Sequence, residues 1–152
     1  MRIRKMQPKD YVESTKLIQR VYKTMNKNEG SKKAVQSYIN RFHPSNPHFH
    51  KFGKIPLKLV AEDNGKIIGI LRGFDNKIVS LFVDKKYHKK GVGKKLYNKA
   101  EKVIKKNHKI IKIKSSLYAV PFYKKLGFKN TTGIRSLKKL PIKFQPMKKL
   151  LQ

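Results

Sequence analysis

The stretch from Val83 to Leu96, Val-Asp-Lys-Lys-Tyr-His-Lys-Lys-Gly-Val-Gly-Lys-Lys-Leu, constrains the chain more than any other. A β-rich run ending at Val83 gives way to a polar turn with two glycines one residue apart. Val92, Leu96, Ala100, Val103 and Ile104 then recur at helical spacing. A strand that ends, turns through glycines and opens a helix leaves several backbone N–H groups without acceptors and pointing the same way. The glycines allow close approach of a ligand to the backbone, and the helix turns its positive dipole end toward it. Lys89, Lys90, Lys94 and Lys95 surround the turn, so the group it suits is a phosphate or pyrophosphate. A lone Gly-x-Gly also describes an ordinary helix cap. The P-loop pattern is unmet, and Leu96 stands where a dinucleotide fingerprint needs its third glycine.

The elements around this turn follow one another in a readable order. Arg2 to Met6 alternates as an edge strand, and Pro8 with Asp10 announces a helix whose buried face is Leu17, Ile18, Val21, Tyr22 and Met25. Asn28-Glu29-Gly30 stops it, and Ser31 caps a second helix carrying Val35, Tyr38, Ile39 and Phe42 on one side. From His43 to Pro56, three prolines, a glycine and three histidines without periodicity read as a long loop, of the kind that forms a lid or a substrate wall. Leu57 to Glu62 and Lys66 to Arg72 flank Asp63-Asn64-Gly65 as a β-hairpin, and a turn at Asp75-Asn76 leads into a third antiparallel strand, Lys77 to Val83. After the long helix come a strand at Lys109 to Lys114, a short helix at Ala119 to Leu126, and two closing strands containing Phe128 and Ile142 to Met147. No repeat or linker interrupts residues 1–152, which read as a single domain.

A second segment completes the first. Ser115-Ser116-Leu117-Tyr118-Ala119-Val120-Pro121-Phe122-Tyr123, followed by Lys124-Lys125-Leu126-Gly127-Phe128, puts a tyrosine on a short helix after another strand. Together the two segments resemble the acetyl-CoA site of the GNAT N-acetyltransferases. The family pattern Gln/Arg-x-x-Gly-x-Gly/Ala maps onto His88-Lys89-Lys90-Gly91-Val92-Gly93, with histidine at the first position. The pattern Asn-x-x-Ala-x-x-Phe/Leu-Tyr maps onto Ser116 through Tyr123, with serine replacing asparagine. The resemblance covers about Leu57 to Met147. It implies a mixed α/β fold with a mostly antiparallel central sheet, splayed central strands and flanking helices.

The resemblance also implies an enzyme that transfers an acetyl group from acetyl-CoA to a primary amine. Coenzyme A would lie with its pyrophosphate on His88, Lys89, Lys90, Gly91, Val92, Gly93 and Lys94, and its pantetheine arm against the backbone of Leu81, Phe82 and Val83. Ser116 would be a further contact, and Tyr123 would protonate the departing thiolate, as a phenol with a pKa near ~10 can. A base is harder to place, because Ile78-Val79-Ser80-Leu81-Phe82 contains no carboxylate; Glu62, Asp75 and the loop histidines are the candidates. A non-catalytic acyl-CoA sensor is the rival reading that this gap favours.

The chain carries 39 Lys and Arg against 8 Asp and Glu, a formal charge of +31. Only six of the cations are arginine, the residue suited to bidentate reading of guanine and phosphate, so non-specific nucleic-acid binding is expected rather than sequence recognition. A lysine-rich nucleic-acid module would explain the charge and leave the two motifs unexplained. A cationic polyamine acceptor would be repelled on approach. The absence of cysteine excludes an acyl-cysteine intermediate, disulfides and thiolate metal sites, and His43, His48 and His50 lack metal-ligand spacing, so no metal is expected. With no hydrophobic leader after Met1-Arg2-Ile3-Arg4 and no run near the ~18 apolar residues a membrane helix needs, the expectation is a cytoplasmic protein without a membrane partner.

Overall fold

The computed structural model describes residues 1–152. Asn64 and Gly65 both take positive φ, 50° and 75°, which is the conformation a two-residue hairpin needs to match strand twist. That turn joins β2 (Leu57–Asp63) to β3 (Lys66–Phe74), and β4 (Lys77–Val83) follows on the other side of β3. β1 (Arg2–Lys5) pairs antiparallel with β2 at the edge. β5 (Ile110–Ser115) and β8 (Lys143–Leu150) complete the far half of the sheet, with two-residue strands β6 (Lys129–Asn130) and β7 (Arg135–Ser136) both paired to β8. The order is β1-β2-β3-β4-β5-β8-β6, antiparallel throughout except between β4 and β5.

Helices cover both faces because strand side chains alternate. Leu59, Ala61 and Leu71 face α4 (Val92–Ile104) and α5 (Val120–Lys125), where Leu96, Tyr97, Ala100 and Tyr123 complete one core. Val60, Ile67 and Ile70 face α1 (Tyr11–Met25), which buries Leu17, Ile18 and Val21 against them. α2 (Lys32–Asn40) adds a smaller cluster of Ala34, Val35 and Ile39 with Tyr22 and Ile142. No helix is long and apolar enough to cross a membrane.

Three local expectations need correction. Pro8–Asp10 forms a separate 3-10 turn and the helix begins at Tyr11, because the Asp10 carboxylate is held by Arg4 at 2.7 and 2.9 Å and by the Gln7 N–H rather than capping α1. The segment from His43 to Pro56 contains one short helix, α3 (Phe49–Phe52), which buries Phe52. Phe128 lies just before β6 and packs edge-on against Tyr97 and Tyr123, 5.7 and 5.4 Å between ring centres.

The feature that positions the site is in β4. Its register on β3 runs from Arg72↔Ser80 directly to Gly73↔Ile78, so Val79 is an extra residue in the ladder, a β-bulge. Below the bulge, β4 pairs with β5 through Lys77↔Lys112 and Ile78↔Ile113 only; beyond it the two strands part.

Candidate active site

The turn into α4 leaves backbone N–H groups open. Lys89 and Gly91 take positive φ, 61° and 82°, and nothing lies within 4 Å of where a Gly91 side chain would start. The first intrahelical bond is from the Lys95 N–H to the Gly91 carbonyl, 3.0 Å, so the N–H groups of Val92, Gly93 and Lys94 have no acceptor in the helix, and no side chain caps it. Gly93 is small for a different reason. A Cβ there would sit 3.3 Å from the Phe122 ring and 3.7 Å from Val83, so Gly93 lets α5 and the end of β4 close on the first turn of α4. Lys90 reaches over the Tyr87 ring at 5.5 Å, and Lys89 and Lys94 are exposed beside the turn.

Beyond the bulge, the open edge of β4 offers hydrogen bonds. The Asp84 N–H donates to the Ile68 carbonyl at 2.8 Å, and bonded pairs alternate along an antiparallel ladder. With Val83 opposite Gly69 and Phe82 opposite Ile70, the backbone groups of Phe82 turn to β3, whereas those of Leu81 and Val83 turn toward the gap. Phe82 meets the cleft through its side chain. The Val83 carbonyl is already engaged: His88 Nε2 lies 2.7 Å from it, so the ring donates there and carries its proton on Nε2, with Tyr118 Oη 3.5 Å from Nδ1. His88 thus ties the turn to the strand end by its side chain.

The gap opens into a cleft of ≈ 720 Å³ that passes between the splayed strands from one face of the sheet to the other. On the α5 side it is lined by Ser116, Ala119, Tyr123 and Met147. Ser116 Oγ accepts the Ala119 N–H at 3.2 Å, holding the turn that starts α5. Tyr123 is buried against Phe122 and Phe128, and burial pushes its pKa well above the usual phenol value, so the hydroxyl stays protonated.

On the α1 side the wall is Tyr22, Asn26, Glu29 and Tyr38. Glu29 is only 4% exposed, and its Oε2 accepts from Asn26 Nδ2 at 2.8 Å and from the Leu117 N–H at 3.0 Å. Its own carbonyl receives the Lys143 N–H at 2.8 Å. Three carboxylates of the chain are buried. Asp10 holds Arg4 and Asp84 holds Arg20; Glu29 holds no cation, in a chain with 39 of them. Desolvation raises its pKa, partly offset by the donors on Oε2. A carboxylate of raised pKa in a cleft is a candidate proton acceptor.

Sequence reasoning passed over Glu29 because Asn-Glu-Gly reads as a helix stop; the signal is its contact with Leu117, 88 residues away. The carboxylates and histidines considered instead do not line the cleft. Glu62 is bound by Arg4, Asp75 is exposed in the β3–β4 turn, and His43 bonds Ser45 within its own loop. No group of three or more metal-ligating side chains converges anywhere.

The GNAT acetyltransferase domain model matches residues 31–151. A search of curated protein sequences found no match. Among solved structures, the chain is similar to a GCN5-related N-acetyltransferase from Rhodopseudomonas palustris, with a TM-score of 0.87 and 19% identity over 99% of this chain and 95% of that one. It is also similar to the PaiA N-acetyltransferase from Thermoplasma acidophilum, solved in complex with coenzyme A, with a TM-score of 0.76 and 22% identity over 98% of each chain. A third similar structure is an aminoglycoside 6'-acetyltransferase type Ii, at TM-score 0.72 and 16% identity over 99% of this chain and 97% of that one. The chain belongs to the GNAT acetyltransferase family.

Proposed function

We propose that this GNAT acetyltransferase is one catalytic domain, residues 1–152, that transfers an acetyl group from acetyl-CoA directly to a primary amine. The observation that carries this reading is the cleft between β4 and β5, with Tyr123 on one wall and the Glu29 carboxylate, which holds no cation, on the other, together with the open N–H turn that follows β4 in the chain. The free N–H groups of Val92 to Lys94, with Lys89, Lys90 and Lys94 alongside, suit the pyrophosphate of coenzyme A. The outward backbone groups of Leu81 and the Val83 N–H suit the amides of its pantetheine arm, and a donor on this edge would stabilise the charge that develops on the thioester oxygen. Ser116 keeps α5 in place and borders the same space.

The acceptor amine enters from the α1 side. Glu29 takes the proton that makes its nitrogen a nucleophile, the new N–C bond forms as the C–S bond breaks, the N-protonated amide sheds its remaining extra proton to solvent, and Tyr123 gives its proton to the thiolate. Glu29 then returns its proton to solvent and Tyr123 regains one from it. With no cysteine in the chain, no acyl-cysteine intermediate is available. The sensor reading rested on a missing base, and Glu29 supplies one. The even spread of lysine supports loose, salt-sensitive binding of nucleic acids, and we place the protein in the cytoplasm.

The test is release of free CoA thiol from acetyl-CoA across a panel of amines, alongside direct titration of acetyl-CoA. Turnover with any amine that falls steeply in Tyr123→Phe supports the reading. Tight acetyl-CoA binding with no turnover on a broad panel would convert the protein to a sensor, and no binding would remove the proposal altogether.

A further inference from the structure

A second cavity, ≈ 170 Å³, lies on the α1 side of the sheet between α1, α3 and β3, apart from the acyl cleft. Its floor is Arg72, 7% exposed on a central strand. The guanidinium lies over the Phe52 ring, 4.2 Å to ring centre, and the Phe42 ring, perpendicular to Phe52, is 5.8 Å away. Such stacking offsets part of the cost of burying the charge. It does nothing for the N–H groups in the guanidinium plane, which need acceptors. One is met, by Nη2 donating to Ser80 Oγ at 2.9 Å, while Nε is buried without a partner.

No carboxylate of the chain can repair this. Asp10, Glu62, Asp63, Asp84 and Glu101 are ion-paired elsewhere, Glu29 and Glu13 bond the Leu117 and Ile67 N–H groups, and Asp75 is exposed in the β3–β4 turn. Burial pulls the Arg72 pKa down to about 10, which leaves it charged at neutral pH. Three more basic side chains, Arg41, His48 and Lys51, border the same small cavity, and no acidic one does. A buried guanidinium left with an unpaired N–H gains most from an anion that joins it, and the basic residues at the rim add to that attraction.

We infer that this cavity is a binding site for a small oxyanion, a carboxylate or phosphate group, received by the guanidinium edge of Arg72 with Arg41, His48 and Lys51 at its rim. The site is independent of acetyl transfer. It meets the cleft through Ser80, which accepts from Arg72, and through Tyr38, which packs on Phe42 and lies under the Arg41 guanidinium; Ser80 and Tyr38 both line the acyl cavity.

The experiment is NMR titration of the full chain with inorganic phosphate and, in a separate arm, sodium acetate, at constant ionic strength. The Arg72 Nε–H resonance, assigned by its loss in Arg72→Met, is followed together with the amides of Gly91 and Gly93, which report any phosphate in the turn before α4. The expected result is a saturable shift of the Arg72 signal with its own dissociation constant. Response to phosphate alone, to acetate alone or to both identifies the anion class. In Arg72→Met, the amides of Phe49 and Phe52 should report affinity weaker by about tenfold or more, since a charge-assisted hydrogen bond contributes more than ~1.4 kcal/mol. Lys106→Gln, an equal charge loss at an exposed site, should leave affinity unchanged. An Arg72 signal that never saturates with either anion, or equal affinity in a folded Arg72→Met protein, would overturn the proposal. If Arg72→Met does not fold, Arg41→Gln decides: retained wild-type affinity overturns the site and weakened affinity supports it.

Discussion

The two halves of the candidate site, the turn before α4 and the α1 wall of the cleft, are made of different material. At the turn before α4 the groups on offer are backbone N–H, exposed because Gly91 adopts a left-handed conformation and no side chain caps the helix. At the α1 wall they are side chains: Tyr22 from α1 itself, and Glu29 from the loop after it, which the turn between β5 and α5 and the start of β8 hold in place. Backbone binding tolerates change in most side chains and is written as a local motif. Side-chain chemistry depends on a few atoms and on contacts across the whole chain. Substitutions on the α1 side should therefore cost rate, and those at the turn should cost cofactor affinity.

Tyr123 is the strongest test of that division, because it stands on a motif yet acts through its side chain. Tyr123→Phe keeps the ring against Phe122 and Phe128 and removes only the proton donor, so acetyl-CoA affinity should persist while turnover falls by ~10²–10⁴-fold. Because burial holds the phenol protonated, no alkaline limb below pH 10 in the rate profile should belong to it. Near-wild-type turnover in the folded variant, with chemistry rate-limiting, would move Tyr123 from catalysis to packing.

Glu29→Gln should come next, with a loss toward the lower part of the same ~10²–10⁴ range, since water can relay a proton where the carboxylate is missing. The amide keeps an acceptor for Asn26 and Leu117, so the loop should survive. In the wild type, kcat/KM should rise with pH through a group titrating above the ordinary glutamate value of ~4.3, and the variant should lose that limb. Stability should move the opposite way. A folded-state pKa raised by burial contributes stability that is present at low pH and lost as pH rises through it. Wild type should thus lose ground to Glu29→Gln in thermal melts as pH rises above the ordinary glutamate range. An unchanged acid limb in the variant would assign the base elsewhere.

At the turn before α4, Gly91→Val should weaken acetyl-CoA binding by about tenfold or more, measured by calorimetry, while leaving the free protein folded. There is open space where the new side chain begins, so the penalty to the fold is the left-handed backbone alone, of order 1–2 kcal/mol. A ligand on those N–H groups would meet the valine directly. Gly93→Val would be a poorer probe, because its side chain runs into Phe122 and confounds affinity with packing. Unchanged affinity in folded Gly91→Val would place the pyrophosphate elsewhere.

These contrasts explain how much could be read from the chain. The hairpin at Asn64-Gly65, the turn at Gly91 and the short helix with Tyr123 were legible because each requires particular residue types at consecutive positions. The split between β4 and β5 was legible through resemblance alone, since a bulge at Val79 carries no signature of its own. Glu29 and Arg72 were not legible. One looks like a helix stop and the other like a polar residue in a strand, and both are defined by what the fold brings to them: Leu117 for the first, Phe42 and Phe52 for the second. The strand β7 escaped because two residues paired to Lys143 and Phe144 leave no periodicity to detect.

The smallest effect should come from the support of the α1 wall rather than the wall itself. Ser31 Oγ accepts the Ala34 N–H at 3.1 Å and caps α2 immediately after Glu29-Gly30. Ser31→Ala should cost about 1 kcal/mol, which for a chain of this size is a fall in Tm of roughly 2–4 °C. Gly30 leaves little room for the loop to shift elsewhere, since a Cβ there would meet the Pro141 carbonyl at 2.8 Å, so the loosening should pass to the Glu29 side chain. The expected signature is a modest fall in kcat/KM for the amine with acetyl-CoA affinity unchanged. A matching loss of acetyl-CoA affinity would mean that the turn before α4 and the α1 wall are mechanically coupled and that the division between backbone and side-chain halves does not hold.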